Sequence, residues 1–178
     1  MFIMEQKCSL WRVFAVFAED PLRIHYIKEI SRKIKLAPTS VRKHLEYLLN
    51  QNLVLKKKGE RFFGFIANRD SENFLFYKKI TNIISIKKSG LLDFLIESFY
   101  PQAIVLYGSY LRGEDVEMSD IDLLIITKVK KRISIEKFES TLKRKIHILI
   151  EPRLGKLRPE IKTEVMNGLV LYGYLKDE

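Results

Sequence analysis

Two apolar runs enclose an acidic loop in the stretch AIVLYGSYLRGEDVEMSDIDLLIIT, residues 103–127. The runs AIVLY and IDLLIIT are short, rich in aliphatic residues and bounded by polar sequence, which predicts two buried strands. The loop between them opens with Gly108-Ser109 and, after ten further residues, ends in Asp120-Ile121-Asp122. This order of strand, glycine-serine corner, acidic pair and strand decides how the second half of the chain is expected to fold.

The glycine-serine corner has the chemistry of a phosphate site. Gly108 lets the backbone approach a ligand closely and adopt a positive φ. The Ser109 hydroxyl and the N–H groups at a helix start can bind phosphate oxygens. Arg112 is a third candidate nucleotide-binding residue, although it could equally pair with Glu114 or Glu117, and the sequence leaves both readings open.

The acidic pair has the chemistry of a metal site. Asp120 and Asp122 stand one residue apart at the start of a predicted strand, so both carboxylates lie on one side, with α-carbons about 6.5 Å apart. Ile121 between them is expected to point into the core. Mg²⁺ is a hard cation that takes carboxylates together with substrate phosphates. We therefore predict that the two aspartates hold Mg²⁺, the alternative being a solvated acidic loop.

Helices and short apolar strands alternate throughout residues 90–178. Helices are predicted in GLLDFLIESFYP and ISIEKFESTLK, a third strand in KIHILIE, and a last helix followed by an apolar tail in PEIKTEVMNGLVLYGYL. Such alternation indicates an α/β sandwich.

Together these features resemble the minimal nucleotidyltransferase family of the polymerase-β-like superfamily, over about residues 91–175. The resemblance implies that Gly108 and Ser109 grip the triphosphate of a nucleotide. It also implies that Asp120 and Asp122 are catalytic and bind Mg²⁺. The implied reaction moves a nucleoside monophosphate from a nucleoside triphosphate to a hydroxyl acceptor and releases pyrophosphate.

The family usually carries a third carboxylate on the neighbouring strand, where it binds metal and can accept a proton. At the corresponding position this sequence has His147, and Glu151 lies two strand periods further on, about 13 Å away. Histidine can act as a base near neutral pH but is a poor Mg²⁺ ligand. It could also be simply a polar strand residue. The sequence therefore leaves catalysis open, while nucleotide binding stays expected.

The first half predicts three helices and a hairpin. The helices are SLWRVFAVFAED, IHYIKEISRKIKL and APTSVRKHLEYLLNQNL, and the hairpin is LVLKKKGERFFGFIA. In the third helix Val41, Leu45, Leu48 and Leu49 should face the core. The order resembles the winged helix-turn-helix family over roughly residues 8–68, with a recognition helix at about Pro38 to Asn50.

Charge supports double-stranded DNA as a partner. Residues 1–89 contain 18 Lys and Arg against 8 Asp and Glu, whereas residues 90–178 contain 14 of each. Phosphates attract Lys and Arg through counterion release, and a duplex groove admits a helix. The expected DNA contacts are Thr39, Ser40, Arg42, Lys43, Tyr47, Lys56, Lys57, Lys58 and Arg61. A protein-interaction module is the alternative.

The expected fold class is α+β, in two domains. Residues 1–69 are predicted to form the winged helix-turn-helix domain, residues 70–89 a connecting helix and linker, and residues 90–178 the α/β polymerase-β-like nucleotidyltransferase domain. Cys8 is the only cysteine, so no intramolecular disulfide can form. With no signal peptide and no apolar run near 18 or so residues, we expect a cytoplasmic protein that makes no use of a membrane.

Two hypotheses follow for the whole chain. The leading one is an Mg²⁺-dependent nucleotidyltransferase fused to a DNA-binding module. The rival is a transcriptional regulator whose nucleotidyltransferase domain binds nucleotide without turning it over. A third, a partner that modifies or masks another protein, fits the family and makes a protein acceptor possible. The sequence reveals neither the acceptor, the base of the nucleotide, the DNA site nor the oligomeric state.

Overall fold

A computed structural model describes residues 8–60 and 62–176 of the chain. The chain divides into two compact units, Met1–Thr81 and Asn82–Glu178. The division falls inside a helix, Glu72–Ser89, and not in a loop. Each unit has its own apolar core.

In the described residues of the first unit, three helices are followed by a hairpin, in the predicted order. The helices are α1 (Ser9–Glu19), α2 (Ile27–Ile34) and α3 (Pro38–Asn50), and the antiparallel strands are β1 (Val54–Lys58) and β2 (Phe63–Ala67). Pro38 opens α3, where its fixed φ suits the first turn and its missing N–H is not needed. Val41, Leu45 and Leu48 are buried and Leu49 is partly buried, as the helical period predicts.

The hairpin is fixed to the rest of the unit by its second strand. His25 and Phe65 exchange backbone hydrogen bonds of 2.7 and 2.9 Å. Gly64 lies where a Cβ would approach the His25 carbonyl oxygen to 2.9 Å. A side chain at this position would therefore push the hairpin away from the segment that leads into α2.

The helix α4 (Glu72–Ser89) has a different buried face from the one that its apolar residues predict. The sequence places Phe74, Tyr77, Ile80 and Ile84 on one face, but Tyr77 is exposed. The fully buried positions are four residues apart and include two polar side chains: Phe74, Lys78, Asn82 and Ile86. The prediction missed this face because it counted only apolar residues.

The second unit is a four-stranded mixed sheet with helices. Its elements are α5 (Leu91–Phe99), β3 (Ala103–Tyr107), α6 (Gly108–Arg112), β4 (Ile121–Ile126), α7 (Glu136–Leu142), β5 (Ile146–Glu151), a 3₁₀ turn (Leu154–Lys156), α8 (Pro159–Met166) and β6 (Leu169–Gly173). The strand order is β5-β4-β3-β6. β3 is antiparallel to both β4 and β6, whereas β4 and β5 are parallel. The predicted apolar tail after the last helix is therefore an edge strand, β6.

The two central strands are covered on both faces. Ile104, Leu106 and Ile121 belong to a core with α5 and α7, while Val105 and Leu124 belong to a core with α8. This alternation sends Ile121 into the first core, as predicted, and puts Asp122 on the opposite face, the face of α8. The molecule is thus a mixed α+β protein. Nowhere in residues 8–60 and 62–176 is a helix both long and apolar enough to cross a bilayer.

Candidate functional site

The glycine-serine corner and Asp122 lie next to each other. Tyr107, the last residue of β3, is paired with Asp122 of β4, and Gly108 follows with a φ of +76°. A Cβ on Gly108 would lie 2.5 Å from Asp122 Oδ2. The absent side chain therefore leaves the backbone of the corner in direct reach of the carboxylate.

The two aspartates differ in their environment. Asp122 is inside β4 with its side chain 27% exposed, whereas Asp120 precedes the strand and is exposed. Between them Ile121 donates its N–H to the Lys145 carbonyl oxygen at 2.8 Å, which ties the start of β4 to the approach to β5. Among residues 8–60 and 62–176 no group of three or more His, Cys, Asp or Glu is arranged to hold a metal ion by itself.

This donor set fits one metal chemistry. Mg²⁺ is commonly bound through one or two carboxylates, with phosphate oxygens and water completing its octahedron. Asp122 beside the glycine-serine corner matches one carboxylate of that pattern, and Asp120, two residues earlier and exposed, is the candidate for a second. In the described part of the chain, these residues are too few to surround a metal ion with protein ligands alone.

His147 occupies the position opposite Asp122 on the parallel strand β5. Its Nδ1 lies 3.4 Å from Asp122 Oδ1, and its side chain is 64% exposed. Glu151 is paired with Ile126 at the other end of β4, so it cannot serve as a third carboxylate beside the aspartates. The position of that carboxylate is held by an imidazole.

Arg112 binds two glutamates. Its Nε donates to Glu114 and its Nη1 donates to Glu164, both at 2.8 Å. The hydrogen bond to Glu114 is the main reason that the pKa of Arg112 lies above its usual value. Of the two partners that the sequence offered, Glu114 is found and Glu117 is not. Glu164 on α8 was missed because β4, α7 and β5 separate it from the corner in sequence.

Tyr107 is a further site residue that the sequence did not single out. Burial raises the pKa of its hydroxyl, and the negative charges of Asp122 and Glu164 raise it further. Tyr107 therefore remains protonated beside two carboxylates. Its place in the apolar run AIVLY marked it only as a core residue.

A buried polar cluster braces the loop between the corner and the aspartates. The Asn82 amide donates to the Tyr110 carbonyl oxygen at 2.8 Å and to Asp115 Oδ1 at 2.7 Å. Arg144 Nη2 lies 3.5 Å from Asp115 Oδ2, and Asp115 is only 1% exposed. The loop is therefore anchored from inside at its midpoint, which no local sequence pattern indicated.

The residues predicted to meet DNA lie on the surface of the first unit. Thr39, Arg42, Lys43 and Tyr47 of α3 are exposed and Ser40 is partly exposed, while Lys56, Lys57 and Lys58 are exposed on β1. Arg61 lies outside the described residues. The hairpin also exposes two aromatic rings that the prediction omitted, Phe62 at 72% and Phe63 at 70%.

Comparison with known proteins concerns the second half of the chain. Residues 88–172 match the family described as Nucleotidyltransferase domain, a range that includes the corner, both aspartates and His147. A protein of Methanocaldococcus jannaschii that bears the name protein adenylyltransferase is 38% identical over 74 residues, which cover 39% of this chain and 73% of the relative. No solved structure matches the chain.

Proposed function

This chain belongs to the nucleotidyltransferase domain family, and from that membership we propose that it transfers an adenylyl group from ATP to a hydroxyl of a protein. The acceptor oxygen forms a bond to the α-phosphorus while the bond from that phosphorus to the bridging oxygen breaks. Pyrophosphate leaves, and the hydroxyl proton passes to a base. The choice of AMP and of a protein acceptor is supported by the name that the relative bears, protein adenylyltransferase.

The proposal rests on the contact between the glycine-serine corner and Asp122 of β4. Gly108 has room for backbone only, with the missing Cβ 2.5 Å from Asp122 Oδ2. A triphosphate that follows the corner would meet the carboxylate side of β4. The backbone proposed to bind phosphate directly follows β3, and the carboxylate proposed to bind the metal lies on the adjacent strand β4.

Each residue has a role in the proposed reaction. Ser109 and the corner backbone bind phosphate oxygens. Asp120 and Asp122 would hold Mg²⁺, which when bound neutralises charge on the phosphates. His147 is exposed beside Asp122 and is the candidate for the base, since an imidazole accepts protons near neutral pH. Arg112 is held by Glu114 and Glu164, so a role on phosphate requires that it leave at least one of them.

Label transfer tests the proposal. The chain is incubated with ATP labelled at the α-phosphate, Mg²⁺ and protein fractions from its source cells, and label on protein and released pyrophosphate are measured. Asp120→Asn and Asp122→Asn should each abolish both signals. Glu97→Gln removes an exposed acid of α5 and should leave them unchanged. Absence of transfer by the wild type, or transfer that survives both aspartate changes, refutes the enzyme.

The first unit is proposed to bind double-stranded DNA as a winged helix, with α3 in the major groove and the hairpin on the backbone. The outward polar face of α3 and the three exposed lysines of β1 support this proposal. It would bring the nucleotidyltransferase unit to DNA or to proteins assembled there.

One observation favours a second function. His147 stands where a third carboxylate would complete a metal site, opposite Asp122. Under this alternative the chain is a transcriptional regulator that binds nucleotide without turning it over. ATP would then change the affinity for DNA while no pyrophosphate is released. An affinity for DNA that ignores every nucleotide would remove the basis for this function.

A further inference from the structure

Positive charge is concentrated in one part of the second unit, although residues 90–178 contain as many acids as basic residues. The segments 128–132 and 151–158 together contain seven Lys and Arg against one acid, Glu151, a net charge of +6. The remainder of residues 90–178 contains seven Lys and Arg against thirteen Asp and Glu, a net charge of −6. We call the seven Lys and Arg of the two segments the basic end.

The basic end lies where the parallel strands β4 and β5 finish. Segment 128–132 follows β4, and segment 151–158 starts at the last residue of β5. All four lysines of the basic end line a cavity of about 590 Å³, together with the apolar side chains of Ile150 and Pro152. The cavity therefore combines positive charge with an apolar wall.

The charges of the basic end are unpaired. All seven side chains are exposed, and none forms an ion pair with a carboxylate among residues 8–60 and 62–176. Other basic residues of the same unit do have such partners: Arg112 binds Glu114 and Glu164, and Lys145 binds Glu139. The basic end therefore has positive charge available for an anionic partner.

The edge of the sheet leads from the basic end to the candidate site. β5 is an edge strand that has His147 near its start and reaches the basic end at Glu151. The carbonyl oxygens of Lys145 and Glu151 accept hydrogen bonds from the β4 side, so Ile148 and Ile150 turn their N–H and C=O groups outward. In the described chain, no hydrogen bond satisfies these outward groups.

We propose that an acidic segment of the acceptor protein adds to β5 as an extended strand. Its acidic residues occupy the cavity of the basic end, and its acceptor hydroxyl lies beside His147. An exposed edge strand pairs with extended polypeptide through main-chain hydrogen bonds. Asp122 and Thr127 are five residues apart, about 16 Å along the strand, so about five residues separate the acidic group from the hydroxyl.

This inference rests on the proposed transfer to protein, because it describes how the acceptor binds. The cavity favours polypeptide over nucleic acid. Single-stranded nucleic acid binds largely by stacking its bases on aromatic rings, and no aromatic residue lines the cavity. Glu151 lies among the lysines and repels the uniformly negative backbone of a nucleic acid, whereas a polypeptide can place an uncharged residue opposite it.

A fluorescent peptide measures binding in the absence of nucleotide. The probe joins four glutamates to a spacer of five alternating threonines and valines, and it is made in both chain directions because a strand can add in either. Fluorescence anisotropy with the full-length chain should show saturable binding of at least one probe, weakening as salt is added. Lys130→Glu combined with Lys131→Glu should weaken it roughly three- to thirtyfold, through the loss of two exposed ion pairs.

A second pair of lysines controls for net charge. Lys137→Glu combined with Lys176→Glu makes the same change of charge at exposed positions outside the basic end. This variant should bind the probe with nearly the affinity of the wild type. Equal weakening by the two lysine pairs would mean that overall charge, and not the basic end, attracts the peptide.

Methylated probes test strand addition without altering the protein. Methyl groups on the backbone nitrogens of alternate spacer residues remove N–H groups along only one edge of the added strand. Probes methylated at odd or at even spacer positions should differ in affinity by roughly tenfold, because only one set faces Ile148 and Ile150. Equal affinities of the two probes would overturn the added strand.

Two further results would overturn the docking surface. One is the absence of saturable binding by every probe. The other is a labelled single-stranded or duplex DNA whose affinity falls as much as that of the peptide in the Lys130→Glu, Lys131→Glu variant, because the basic end would then bind nucleic acid.

The label-transfer assay separates this inference from the proposed function. The Lys130→Glu, Lys131→Glu variant should pass less label to cellular protein while binding ATP with unchanged affinity in calorimetric titration. Undiminished transfer by this variant refutes the docking surface alone. Absence of transfer by the wild type refutes the proposed function, and the peptide measurements still decide whether β5 and the basic end bind acidic polypeptide.

Discussion

Gly90 and Gly108 share a φ of +76° and differ in their surroundings. A Cβ on Gly90 would meet nothing within 4 Å, whereas one on Gly108 would lie 2.5 Å from Asp122 Oδ2. Gly90→Ala should therefore lower the free energy of unfolding by about 1–2 kcal/mol, the cost of left-handed backbone with a side chain. Gly108→Ala should add the displacement of Asp122 to that cost and weaken ATP binding.

Thermal unfolding and calorimetric titration with ATP measure the two effects. The Gly90→Ala variant is the matched control, because it changes the same backbone angle away from the corner. If both variants bind ATP with the affinity of the wild type, the corner is not the phosphate site.

His44 should make the first unit less stable in mild acid. Burial, and then the charge of Lys43, lower its pKa from the usual 6.5, and its Nε2 lies 2.7 Å from the Ser9 hydroxyl. A lowered pKa means that the fold favours the neutral ring. The stabilisation is therefore present above pH 6.5 and is lost as the pH falls towards the folded-state pKa.

Denaturant unfolding at a series of pH values between neutral and mildly acidic tests this sign. The free energy of unfolding of the wild type should fall more steeply with acid than that of His44→Gln. Parallel curves for the two proteins would contradict the role given to His44.

The sequence singles out candidate site residues when they lie together along the chain. The corner and the aspartate pair were recognised because the glycine, the serine and the alternation of acids are local signals. Glu164 and the brace formed by Asn82 with Asp115 were not, because each contact joins elements far apart in sequence. A pattern of residue types along the chain does not reveal contacts between elements that are distant in sequence.

At the scale of elements, the parallel register of β4 and β5 places His147 next to Asp122, so a substitution at His147 can add a metal ligand to the site. Because its Cα is paired with that of Asp122, His147→Asp would add a carboxylate to the acidic pair. We expect tighter binding of Mg²⁺ or Mn²⁺ in the presence of ATP, since hard cations prefer carboxylate oxygen to imidazole.

Water-proton relaxation by Mn²⁺ measures that affinity. His147→Asn has nearly the same shape without the charge and should not tighten metal binding. Equal affinities for His147→Asp and His147→Asn would show that the added carboxylate does not reach the metal.

The hairpin should contribute to DNA affinity through charge. Lys56→Glu combined with Lys57→Glu should weaken binding and reduce its dependence on salt, because fewer counterions are then released from the duplex. Fluorescence anisotropy with a labelled duplex at several salt concentrations provides the measurement. Lys130→Glu, an exposed lysine of the second unit, is the control. A salt response that is flat in the wild type would indicate that the first unit binds protein instead.

Most helices and strands could be predicted from the spacing of apolar residues and from the local amino-acid composition. The strands β3, β4 and β5 and the helices around them lie where their apolar runs are. The strand β6 was read as a tail because its burial depends on pairing with β3, and the hydrophobic pattern of a lone edge strand is weak. The buried face of α4 was not predicted for another reason. Lys78 and Asn82 are polar, and their burial depends on tertiary partners.

At the scale of the whole molecule, α4 contributes to two cores. Phe74 belongs to the core of the first unit and Ile86 to that of the second. A fragment of residues 90–178 lacks Ile86 and the two hydrogen bonds of Asn82, which a fragment of residues 82–178 keeps. The shorter fragment should be less stable by roughly 2–4 kcal/mol.

Denaturant unfolding of both fragments gives the difference. The longer fragment with Ile86→Ala and Asn82→Ala should lose a comparable amount. Fragments of equal stability would mean that the end of α4 adds nothing to the second unit.

The sequence predicted two domains from the change in charge between the halves, and it predicted a boundary near the first glycine after the helix. The structure divides between Thr81 and Asn82, inside the helix. No sequence signal marks that point, because α4 has neither proline nor glycine before Gly90. The boundary between the two units could not be predicted because it lies inside a continuous helix.

The shared helix also affects the order of events while the protein is being made. Phe74 leaves the ribosome after all of α1, α2, α3 and the hairpin, so the first unit can fold as soon as its part of α4 has emerged. Ile86 emerges soon afterwards, but the strands that bury it follow only after about two to ten seconds of further synthesis. During that interval the nascent chain presents an apolar half-helix to water, and a chaperone that recognises such segments should bind the chain then.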